Sequence, residues 1–109
     1  MDIVCDKKET GTLVRVNGRL DAVNAPVFEK ECMQVVDGGE TMMVIDLSDL
    51  EYISSAGLRS ILSAAKKLKG TGGTMQFCGL TGMVEEVFKV SGLGTMFTVT
   101  DTADEAFAS

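Results

Sequence analysis

Apolar and polar residues alternate along Thr12-Leu13-Val14-Arg15-Val16-Asn17, the pattern of a strand with one face wet. Residues 1–4 form a short candidate strand that could pair with it. The period then changes. Phe28, Cys32, Val35 and Val36 fall at helical spacing after Asn24-Ala25-Pro26, where Asn24 can cap and the missing N–H of Pro26 does no harm. Gly38-Gly39 ends that helix, and Met42-Met43-Val44-Ile45 with Leu47 is a continuous apolar run, the mark of a central strand covered on both faces. The spacing predicts a second helix over residues 56–69, with Leu58, Ile61, Leu62, Ala65 and Leu68 inward and Arg59, Ser63, Lys66 and Lys67 outward.

Gly70-Thr71-Gly72-Gly73 stops the second helix, and Met75-Gln76-Phe77-Cys78 is the next strand. Thr81 is a candidate cap for a third helix carrying Met83, Val84, Val87 and Phe88 and closed by Gly92. Met96-Phe97-Thr98-Val99 reads as a last strand, and residues 102–108 as a short terminal helix. The order β-β-α-β-α-β-α-β-α predicts an α/β fold: a mixed β-sheet of about five strands flanked by about four helices. With 109 residues and no linker or internal repeat, residues 1–109 are expected to form one domain. No stretch approaches 18 apolar residues, so no membrane insertion is expected, and the start lacks the features of a signal peptide.

Composition then narrows the chemistry. There is no histidine, which excludes Ser-His-Asp and Cys-His catalysis, histidine-ligated zinc and an imidazole switch. Cys5, Cys32 and Cys78 are an odd, widely spaced set, which points away from disulfides or a metal site and toward a reducing, cytoplasmic setting. Cys32 and Cys78 read as buried small hydrophobes, and most of the methionines as core filling. The net charge of −6 argues against nucleic acid as a partner. That charge is uneven: residues 52–84 hold Arg59, Lys66, Lys67 and Lys69 and no acid, either a solvated helix face or a surface for an acidic partner.

The candidate site is Asp46-Leu47-Ser48-Asp49-Leu50-Glu51-Tyr52-Ile53-Ser54-Ser55-Ala56-Gly57-Leu58-Arg59, where a buried strand gives way to an acidic loop and two serines stand at the mouth of a helix. Sites in open α/β sheets form beyond the carboxyl ends of strands. A serine there can simply cap the helix, or its hydroxyl can accept a phosphoryl group, which free N–H groups and the helix dipole would then hold. Gly57 keeps the first turn uncrowded. Asp21 is either a turn residue or a recognition acid, and Asp46 is a candidate acceptor for loop N–H groups. Gly70-Thr71-Gly72-Gly73 precedes a strand and lacks Gly-Lys-Ser/Thr, so no nucleotide cofactor is expected. No catalytic residue and no metal ligand set emerges.

The run from Asp46 to Leu58 resembles the signature of STAS domains, in particular the bacterial anti-sigma factor antagonists. Gly18-Arg19-Leu20-Asp21 is similar to the family's turn before its first helix, and Gly73-Thr74-Met75-Gln76-Phe77-Cys78-Gly79-Leu80 and Val87-Phe88-Lys89-Val90-Ser91-Gly92-Leu93 resemble its later strand and helix. The resemblance implies a non-enzymatic binding protein that engages an anti-sigma factor serine kinase and so releases a sigma factor. Phosphorylation of one serine would end the binding, and a serine phosphatase would restore it. Aligned through Gly57-Leu58, the acceptor is Ser55, with Ser54 the alternative because the family's Asp before the acceptor is replaced here. The resemblance also implies partner contacts at Asp21, Asn24, Ser54, Ser55, Gly57, Leu58 and Arg59. The other role open to such a domain is a binding or scaffold subunit of a signalling assembly or transport system, without phosphorylation control.

Overall fold

The computed structural model describes residues 1–108. Its centre is β3 (Met42–Asp46), in which Met43 and Ile45 are fully buried on one face and Val44 on the other. The unbroken apolar run therefore sits between two covered faces, as expected of a central strand. β2 (Thr12–Leu20) and β5 (Thr74–Cys78) flank β3, both parallel to it. β1 (Asp2–Lys7) closes one edge antiparallel to β2, and β6 (Val99–Thr100) closes the other parallel to β5. The order β1-β2-β3-β5-β6 is a mixed sheet, with β4 (Leu50–Ile53) pairing in parallel with the far end of β2.

β4 is a sixth strand, beyond the expected five. Its four residues look like part of the acidic loop, and only pairing with Gly18–Leu20 recruits them. Gly18 makes that pairing possible: its φ of +88° lies where the β2–β4 register slips, a backbone conformation that L side chains rarely adopt.

Three helices cover one face. Phe28, Cys32 and Val36 of α1 (Ala25–Asp37), Ile61, Ala64 and Leu68 of α2 (Ser55–Gly70), and Val84 and Phe88 of α3 (Gly82–Ser91) meet Val14, Val16 and Ile45 in one core. On the other face Leu13, Val44 and Cys78 are buried with Ala106 of α5 (Ala103–Ala108). β2 is thus exposed at Arg15, Asn17 and Arg19, while α5 shelters Leu13 on the same strand.

Residues 93–100 differ from the expected strand over 96–99. Gly92, at φ +81°, ends α3, and Leu93–Met96 form a further short helix, α4, a fifth helix where four were expected. Phe97 then turns its ring onto Phe77, centroids 5.1 Å apart and edge-on, and only Val99 and Thr100 reach the sheet. Met96 is 65% exposed and Met83 40%, so neither fills the core. Leu62 also departs from its inward assignment, at 37% exposed: the buried line of α2 runs through Gly57, Ser60, Ile61, Ala64 and Leu68 and leaves Leu62 at its border.

The three thiols are free, with Cys32 and Cys78 buried and Cys5 exposed. Burial pushes the Cys32 thiol up to about 12 and the Cys78 thiol up to about 11. Partial burial, aided by Glu31, raises Cys5 as well, so none of the three is an activated nucleophile.

Candidate functional site

β2 and β4 run in parallel and end side by side, with Leu20 opposite Ile53. The chain therefore leaves both strands at the same place, first into the Asp21 turn and later into Ser54 and Ser55. The Ser54 amide donates to the Leu20 carbonyl at 3.0 Å, which joins the two exits directly. Gly57 allows the first turn of α2 to settle there. A Cβ on Gly57 would lie 2.7 Å from the Leu20 carbonyl oxygen and 3.0 Å from side-chain atoms of Leu20 and Ile53. Any other residue would push the helix off the strand ends.

The two serines have different jobs. Ser54 is the N-cap of α2, and its hydroxyl accepts from the Gly57 amide at 3.2 Å. Ser55 is the first helical residue and is exposed. The capping role open to either serine thus belongs to Ser54, which leaves the Ser55 hydroxyl outside the cap. No acidic residue lies in the first turn of α2, so the positive end of the helix dipole is uncompensated by its own helix. Arg59 is exposed one turn further on, at the i+4 position that shares a helix face with Ser55. Leu58 is half-buried against the core.

The Asp21 turn is built by interlocking side chains. Asp21 Oδ1 accepts from the Val23 amide at 3.1 Å and the Asn24 amide at 3.3 Å. Asn24 stands at the N-cap position of α1 but does not cap it with its side chain. Instead its Oδ1 accepts from the Asp21 amide at 2.8 Å, and its Nδ2 donates to the Arg19 carbonyl at 2.6 Å. Both residues therefore hold the turn against the end of β2. Arg19 lies over the Tyr52 ring, 4.1 Å from its centroid, a second link between β2 and β4. Thr81 likewise occupies the N-cap position of α3 without a side-chain capping bond.

Two exposed apolar residues near this turn escape sequence reasoning. Val23 is 88% exposed at the tip of the Asp21 turn and Val27 is 53% exposed in the first turn of α1. The available signal was their position: both fall outside the Phe28-Cys32-Val36 line that α1 buries. Asp46 lies elsewhere. Its carboxylate accepts from the Ser48 amide at 3.0 Å and faces Arg15 at 3.9 Å, so its partners belong to the β3–β4 turn and to β2. Among the described residues no group of three His, Cys, Asp or Glu side chains could hold a metal ion, and no helix is long and apolar enough to cross a membrane.

The turn after β2 and the mouth of α2 thus lie together at the strand ends, with Val23, Val27 and Ser55 exposed. The STAS domain family matches residues 2–106, and the chain belongs to that family. BtrV of Bordetella bronchiseptica, named as an anti-sigma factor antagonist, is 38% identical over 109 residues, covering 100% of this chain and 94% of the relative. The anti-sigma-B factor antagonist of Bacillus subtilis is 27% identical over 95 residues, covering 85% of this chain and 86% of its own. In structure, an anti-sigma factor antagonist of Thermotoga maritima superposes with a TM-score of 0.91 at 24% identity, covering 97% of this chain and 92% of the other, a likeness of fold.

Proposed function

We propose that this protein is an anti-sigma factor antagonist that acts in the cytoplasm, binds an anti-sigma factor serine kinase to release a sigma factor, and is switched off by phosphorylation of Ser55. The observation that carries the reading is the division of labour at the α2 mouth. Ser54 spends its hydroxyl on the Gly57 amide, while Ser55 stands exposed beside the Asp21 turn. A kinase reaching this surface meets one serine whose modification leaves the cap in place.

The switch follows from local electrostatics. Phosphate adds about −1.5 to −2 charges and three strong acceptors at Ser55. The α2 N-terminus tolerates that charge, so the fold stays as it is. Against a partner packed over Val23, Val27 and Ser55, the dianion would be desolvated at the contact, and each ~1.4 kcal/mol of net cost weakens the complex about tenfold. A serine phosphatase reverses the change. The chain supplies no catalytic group of its own to the exchange.

The test is incubation with the cognate kinase and ATP, followed by mass-spectrometric site mapping and calorimetry. One phosphate is expected, on Ser55, and Ser55→Ala should bind the kinase with or without ATP. Ser55→Asp should bind more weakly than wild type but better than the phosphoprotein, since one carboxylate has less charge and fewer acceptors. Undiminished binding by the phosphorylated protein would overturn the reading. The departure at Ser54, where the family carries Asp, favours a second reading: a STAS binding or scaffold subunit of a signalling assembly or transport system. Absence of phosphate on either serine under those conditions would select it.

A further inference from the structure

The second half of α2, the start of β5 and the α4–β6 turn line an open cavity of about 540 Å³. Its apolar walls are Leu62 of α2, Met75 of β5, and Met96 and Phe97 of the turn; Lys66 and Lys69 stand at its rim. The volume lies within the ~300–1,000 Å³ of small-ligand sites, and a mostly apolar lining with a few charged groups is their usual composition. Leu62 and Met96 are 37% and 65% exposed, so the walls are open to solvent. Met96 is also a flexible side chain that can follow the shape of an inserted chain.

Charge selects the occupant. The protein carries a net −6, yet none of the described residues lining this cavity is acidic. Lys66 and Lys69 are three apart and so share a helix face, with Cβ atoms about 5–6 Å apart, close enough for both ammonium groups to meet one anion. Neither joins an ion pair or hydrogen bond among the described residues. The lining thus offers two cations with no acidic partner beside apolar side chains. We propose that this cavity binds a small amphipathic carboxylate of the fatty-acid class, its head group between Lys66 and Lys69 and its chain against Leu62, Met75, Met96 and Phe97. The site does not depend on the serine switch, because it lies at the other half of α2.

Methionine methyl NMR with decanoate as the probe tests this. Saturable shifts are expected at Met75 and Met96 below the micellar range, with Met43, fully buried in the core, unmoved. Decanol and decyltrimethylammonium should bind at least about tenfold more weakly, and the double variant Lys66→Glu/Lys69→Glu should lose about tenfold in decanoate affinity. Both lysines are exposed, so the variant should keep the native amide spectrum. Equal binding of all three probes, or unchanged affinity in the double variant, would overturn the proposal. So would an absence of saturable shifts. Met75 and Met96 shifts that follow protein concentration without decanoate would place a second copy of the chain in the cavity, and equally overturn it.

Discussion

The two halves of α2 belong to one helix but solve opposite problems. Its N-terminal end is tied to the sheet by backbone: the Ser54 amide bonds the Leu20 carbonyl, and Gly57 fits against that carbonyl without room for a Cβ. What projects there is the Asp21 turn with Val23 exposed, and Ser55 exposed at the start of the helix. The other half borders an open cavity lined by Leu62, Met75, Met96 and Phe97. One end is fixed by hydrogen bonds and presents outward. The other is concave and adaptable. The proposed switch rests on the first end and the proposed ligand site on the second.

The largest way to strain the contrast is Phe77→Ala. Phe77 is fully buried, edge-on to Phe88 at 5.2 Å and to Phe97 at 5.1 Å, so truncation should cost about 4 kcal/mol in urea unfolding. Hydrogen exchange in α4 and β6 should then accelerate more than at the Gly57 amide; equal acceleration would show that the two halves are not independently held. Gly57→Val acts on the other end. Its β-carbon meets a backbone oxygen, so a loss of about 2 kcal/mol and weakened kinase binding are expected in calorimetry, with the Met96 environment unchanged. The smallest effects separate the serines. Ser54→Ala should cost about 1 kcal/mol by removing the cap, and Ser55→Ala less than about 0.5 kcal/mol. Thermal unfolding of the two variants in parallel decides, and equal losses would contradict the assignment of the cap to Ser54 alone.

The hydrophobic pattern by itself determined the mixed α/β class, the buried placement of β3, the three main helices and the start of α2 beside Ser55. Those features come from local periodicity and from Gly and Asn punctuation, which neighbouring residues settle among themselves. Tertiary structure alone decided the rest. β4 is a strand because the end of β2 offers it a pairing partner, though its own four residues carry little signal. Leu62 and Met96 belong to a cavity wall because Phe97 is drawn onto Phe77 and displaces the expected last strand. Which serine caps was open in the motif, since both stand at the helix mouth. The Leu20 carbonyl closes that choice: by holding the Ser54 amide it fixes Ser54 just outside the helix, where its hydroxyl reaches Gly57, and leaves Ser55 exposed. A contact between residues 34 positions apart in the chain is invisible to any local pattern.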